Sequence, residues 1–160
     1  MTGDRKQRVI AGVLAPPPVF PALVVVLAEV ARAVRPISAP WDALRWSWLA
    51  ALGLLFAAIA LLIGAFVVFR RARTPVEPWK QTRAIVTAGP YAFTRNPIYL
   101  AFLLIQLAYA IARPNLWAVL LLPLTIAALQ WAVIEREERY LERLFGDEYR
   151  AYRERVRRWL

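Results

Sequence analysis

Long apolar runs alternate with short charged ones along this chain. A bilayer core of about 30 Å takes about 20 apolar residues as a helix. Four stretches compete for that role. The first runs from about Ile10 to Val34 and is interrupted by Pro16, Pro17, Pro18 and Pro21, so its early part predicts a break or a re-entrant piece. Ser47 to Phe69 is the cleanest, with 23 residues and no charge. Ile98 to Ala112 is shorter, and Leu116 to Ile134 follows it across "ARPN", residues 112 to 115, which reads as a tight turn between antiparallel helices. The fold class this predicts is all-α: a single domain, residues 1–160, built as an integral membrane bundle of about four helices with a loop at 70–97 and a tail at 135–160.

The tail follows a different pattern. Its apolar residues recur as Leu141, Phe145, Tyr149, Tyr152, Val156 and Trp159, at helical steps. Gly146-Asp147 predicts a break into two helices, with Asp147 as the second N-cap. The stripe would rest on the membrane surface or on the 70–97 loop.

Charge sharpens the topology. The net charge is +10, and the basic residues cluster before the first helix (Arg5, Lys6, Arg8), in the 70–97 loop and after the fourth helix. The two remaining loops hold only Arg35 and Arg45, then Arg113. By the excess of Lys and Arg on the inner side, both termini and the 70–97 loop are expected in the cytoplasm, as for a multi-pass protein of a bacterial-type inner membrane. The same segregation explains the basic balance by topology and lipid headgroups rather than nucleic acid. Trp41, Trp46 and Trp48 fit an interfacial belt on the far side, and Arg70, Arg71 and Arg73 an anchor on the near side.

The chain has no Cys and no His. Thiol nucleophiles, imidazole bases and the common zinc and haem ligand sets are excluded, and no metal is expected. Chemistry is left to Arg, Lys, carboxylates, Tyr, Asn and backbone, or to a cofactor that brings its own reactivity.

Three places carry the candidate residues. In "GPYAFTRNPIY", Gly89-Pro90 signals a turn, Asn96 suits a helix N-cap and Pro97 suits the first helical turn. That helix start, beside Arg95, suits a carboxylate or phosphate, although an ordinary capped loop has the same pattern. In "IEREERYLERLFG", Glu138 lies about 20° in helical projection from Phe145 and therefore shares the apolar stripe. An inward carboxylate needs a partner, and Arg95 or a cationic ligand would serve; a rim Glu paired with its Arg neighbours fits the pattern too. Glu29 and Arg32, one helical turn apart in the first stretch, read as a mutually neutralising pair. Gln106 and Gln130 read as hydrogen bonds between helices.

Taken together, "AIVTAGPYAFTRNPIY" and "EREERYLERLFGDEYRAYRERV", separated by two apolar segments, resemble the isoprenylcysteine carboxyl methyltransferase and phospholipid methyltransferase family of integral membrane enzymes. The resemblance covers roughly Arg83 to Val156. It implies an S-adenosylmethionine pocket at the inner ends of the last membrane helices. It implies cofactor contact along Arg83, Ala84, Ile85, Val86 and Tyr91, along Asn96, Pro97, Ile98 and Tyr99, and from Glu137. Arg95 and Glu138 are the expected catalytic pair. Two positions depart from the family pattern. Asn96 stands where the family usually has His, which excludes a base titrating near neutral pH there. Val133 stands where prenylcysteine-specific members place an Arg, which weighs against a prenylcysteine carboxylate substrate.

The expected function is methyl transfer from S-adenosylmethionine to an apolar or lipid-like small molecule entering sideways from the bilayer. The rival from another class is a small four-helix proton-coupled multidrug exporter built around Glu29. It leaves the 70–97 loop and the tail without a role.

Overall fold

A computed structural model describes residues 12–41, 46–77, 80 and 82–160. Arg5, Lys6, Arg8 and Arg45, four of the residues behind the expected orientation, lie outside them, as does Ile10, the expected start of the first helix.

All regular structure among the described residues is helical. Helix α1 spans Val19–Val34, α2 Ser47–Arg71, α3 Pro97–Ala112, α4 Leu116–Leu120, α5 Leu122–Leu129, α6 Glu135–Phe145 and α7 Asp147–Arg155. A 3₁₀ turn at Gly89–Ala92 precedes α3, and a π-helical turn at Gln130–Ile134 joins α5 to α6. The first helix thus starts later than expected. Pro16, Pro17 and Pro18 delay it, and Pro21 is tolerated inside the first turn, where the backbone N–H has no helical partner anyway.

Among the described residues, two helices are long and apolar enough to cross a membrane: α2, with 25 residues, and the 30-residue rod Leu116–Phe145 formed by α4, α5, the π turn and α6. The surface of α2 marks its surroundings. It is apolar on all sides, yet Phe56, Ile63 and Phe66 stand 75, 59 and 49% exposed. A core helix of a water-soluble protein would be covered, whereas a helix facing lipid need not be. At 16 residues each, α1 and α3 reach only about 24 Å. Of the expected bundle of about four helices, α2 and the rod are long and apolar enough to cross, and α3 is a shorter apolar helix.

Helices α2 and α3 pair extensively. The buried residues of α2 are Ala51, Ala58 and Ala65, seven apart, and α3 buries Ala101 and Ala108 at the same interval. Small residues in register let two backbones approach closely, which is how helices associate in lipid. Polar side chains tie α3 to its neighbours. Gln106 donates to the Ala118 carbonyl (3.1 Å) and accepts from Thr125 Oγ1 (2.8 Å), all three residues being buried. Gln130 does not do the same: among the described residues its amide reaches Glu135 on its own rod.

Glu29 is fully engaged. It accepts from Arg32 Nη2 (2.9 Å), Tyr109 Oη (2.5 Å) and Asn115 Nδ2 (2.9 Å), so one carboxylate joins α1, α3 and the turn before α4. The expected Glu29–Arg32 pair is present, widened by two neutral donors. A carboxylate so held is a structural clasp rather than a free proton site.

The rod Leu116–Phe145 does not stop at Ile134, because the π turn carries the helix through. Gly146, with φ +55°, ends it. Asp147 is the first residue of α7 rather than its cap, a position Gly146 holds. Residues 156–160 then turn back toward the start of α3, and Trp159 packs on a core of Tyr99, Leu129, Ala132, Val133 and Ile134.

Candidate functional site

The loop after α2 is pinned at several points, and each has a residue-level cause. Gly89, at φ +60°, turns the chain so that Pro90 lies on α2. The contact needs Gly64: a Cβ there would stand 2.7 Å from Pro90 Cγ. Tyr91 then meets Phe69 edge to face, with ring centroids 5.4 Å apart.

The tail closes the other side. Tyr152 Oη donates to the Tyr91 carbonyl (2.8 Å), and Tyr140 Oη accepts from the Thr82 amide (3.0 Å). The Arg95 amide donates to the Arg157 carbonyl (3.0 Å). Thr94 Oγ1 and Asn96 Nδ2 both donate to the Arg158 carbonyl, at 3.1 and 2.8 Å. Asn96 does sit at the N-cap of α3, but its side chain is spent on the tail and makes no capping bond.

Between loop and tail lies a cavity of about 110 Å³. Aromatic rings supply much of its wall: Phe69, Tyr91, Tyr99, Tyr140, Tyr149 and Tyr152. Burial holds the Tyr91 hydroxyl far above its ordinary pKa, and the nearby Glu137 carboxylate adds to this. Burial likewise raises Tyr149 and pushes Tyr152 up to about 12. These phenols stay protonated at neutral pH and serve as donors and flat surfaces, not as bases.

Two charged groups face the same space. Glu137 Oε1 accepts from Tyr99 Oη at 2.6 Å, and the carboxylate forms no ion pair among the described residues. Arg95, with its side chain 9% exposed, places Nη2 3.3 Å from Glu138 Oε1. Its Nε and Nη1 are buried and have no hydrogen-bond partner among the described residues. Unanswered guanidinium N–H groups and an unpaired carboxylate in one apolar cavity are costly alone and complementary to a zwitterion.

Of the residues expected from the sequence, Ala84, Ile85, Val86, Tyr91, Arg95, Asn96, Ile98, Tyr99 and Glu137 line the cavity. Three do not. Arg83 has an exposed side chain, and its amide is held by Thr74 Oγ1 at 2.8 Å. Pro97 is buried in the first turn of α3. Glu138 faces the tail, where Arg158 grips it with Nε (3.1 Å) and Nη2 (2.5 Å). Sequence reasoning missed Phe69, Glu77 and Tyr140 as wall residues. Leu141, Tyr149 and Tyr152 were visible only as a stripe with no stated role in a site.

A family model described as phospholipid methyltransferase matches residues 46–148. An uncharacterized protein of Haemophilus influenzae is 48% identical over 63 residues, which is 39% of this chain and the full length of that protein. The protein-S-isoprenylcysteine O-methyltransferase of Schizosaccharomyces pombe is 36% identical over 72 residues, or 45% of this chain and 30% of that protein. No solved structure matches the chain.

Proposed function

The chain belongs to the phospholipid methyltransferase family, and from that premise we propose that it is a membrane methyltransferase that binds S-adenosylmethionine in the cavity between loop and tail and methylates an apolar or lipid-like acceptor. The observation that carries the cofactor assignment is the pair of unmet charges. The unpartnered N–H groups of Arg95 suit the methionine carboxylate, and Glu137, oriented by Tyr99, suits the ammonium. The ring-lined wall suits the purine and, by cation–π attraction, the sulfonium. S-Adenosylmethionine supplies an already activated methyl group. The chain's own contribution is then to orient, to exclude water and to hold the charges of the amino-acid end away from the reacting atoms.

The acceptor reading is narrower than the family. Val133 is fully buried within the apolar core beside Tyr99, so that position offers no cation to a substrate carboxylate. An acceptor arriving from the bilayer between helices is consistent with the exposed apolar faces of α2. The orientation we assign keeps the cavity and both termini on the cytoplasmic side, where the basic loop and tail lie. The exporter alternative loses its main support, because Glu29 is already held by Arg32, Tyr109 and Asn115.

Calorimetric titration of S-adenosylmethionine into the detergent-solubilised chain tests the proposal. Saturable binding that weakens by about tenfold or more in Glu137→Ala is expected. Absence of binding to the unaltered chain, or equal binding by the variant, would remove the assignment.

A further inference from the structure

Glu138, buried, and Arg158, half-buried, are a pair that the cavity does not touch, yet the pair reaches it through one atom. Arg158 holds both carboxylate oxygens of Glu138, at 3.1 and 2.5 Å, in a two-pronged grip. The oxygen that receives Arg158 Nε also lies 3.3 Å from Arg95 Nη2, an ion pair. With Nη2 paired to Glu138, two N–H groups of the planar guanidinium, Nε and Nη1, stay without partners among the described residues. The backbone completes the frame: the Arg157 and Arg158 carbonyls receive the Arg95 amide, Thr94 Oγ1 and Asn96 Nδ2. The last residues of the chain thus grip both the main chain and the side chain of the residue that faces the ligand.

We propose that Arg158 is a positioning residue: acting through Glu138, it holds Arg95 so that an unpartnered N–H of its guanidinium meets the carboxylate of the bound nucleoside amino acid. The inference rests on the cofactor reading above. It assigns Glu138 a different role from that of a proton acceptor. A carboxylate already shared by two guanidinium groups is poorly placed to take a proton, because protonation would break three charged contacts. A role for the chain end in selectivity follows. The relay should matter for ligands that carry the amino-acid carboxylate and not for those that lack it.

The test compares two ligands on the full chain in detergent: S-adenosylhomocysteine, and 5′-methylthioadenosine, which keeps the nucleoside thioether but has no amino acid. Arg158→Gln removes the grip and keeps the backbone carbonyls. It should weaken S-adenosylhomocysteine binding by about tenfold and change 5′-methylthioadenosine binding by less than about twofold. Arg158→Lys, which keeps the charge and loses the fork, should fall between the two. A melting curve on each variant reports whether the fold survives. Equal weakening of both ligands would make the tail a merely structural strap and overturn the proposal, and so would unchanged binding of both. If the unaltered chain binds neither ligand, the cofactor reading itself falls and takes the relay with it. A chain that binds both but ignores Arg158 sinks the relay alone.

Discussion

Tyr99 and Glu137, 38 residues apart, meet at 2.6 Å with the phenol donating to the carboxylate. One stands in the first turn of α3 and the other in the first turn of α6. The contact joins the two segments that carry the candidate site, and it fixes a carboxylate that has no cation beside it among the described residues.

Tyr99→Phe should therefore act on binding more than on folding. A hydrogen bond to a charged group contributes about 1.5–3 kcal/mol, so S-adenosylhomocysteine affinity should drop by roughly tenfold or more. Calorimetry reads this directly, and an unchanged affinity would mean that Glu137 is not held for a ligand.

Gly64→Ala places a methyl 2.7 Å from the Pro90 ring, which cannot fold away. Overpacking of this kind costs about 1–3 kcal/mol. The melting temperature should fall and the loop should lift from α2. Gly53, in the same helix, has open space around its missing Cβ, and Gly53→Ala should be neutral or slightly stabilising. Equal effects at the two positions would contradict the docking of the 3₁₀ turn on α2.

Tyr152→Phe removes the bond from the tail to the Tyr91 carbonyl and leaves the ring in place. The loss should be about 1 kcal/mol of stability. Amide hydrogen exchange should quicken along residues 89–96, and slow, unaltered exchange there would argue against tail and loop closing on each other.

Glu29→Ala separates stability from function. It strips the common acceptor from Arg32, Tyr109 and Asn115 and should lower the melting temperature. Nucleoside binding should stay within about twofold of the unaltered chain, since the clasp lies outside the cavity. Proton-coupled drug transport in vesicles, abolished by the same change, would favour the exporter instead.

The helices were legible because their signals are local. The 23-residue uncharged run, the ARPN turn, and Gly146 as a breaker each depend on neighbours in sequence, and α2, the α3–α4 turn and the end of α6 follow them closely. The π turn at Gln130–Ile134 was not legible, since a single extra residue in a helical turn leaves no compositional mark. It is also why the fourth apolar stretch and the first polar helix form one rod. Asp147 looked like a cap by type, and the positive φ of Gly146 moved the cap back by one residue. Among site residues, the motif pointed to Tyr91, Asn96 and Glu137 together. It could not reveal that Glu138 faces away, because its partner Arg158 is brought near only by the return of the chain after α7. Phe69 looked like the end of an apolar span, and only the packing of Tyr91 upon it makes it a wall.

The central claim is that loop and tail enclose a zwitterionic nucleoside between Arg95 and Glu137. A crystal structure of the chain grown with S-adenosylhomocysteine tests it most directly. The account predicts ligand density in the cavity, with the carboxylate on the Arg95 guanidinium, at Nε or Nη1, and the amine on Glu137. Density for the ligand at any other place, or an amino-acid end pointing away from both residues, would contradict it.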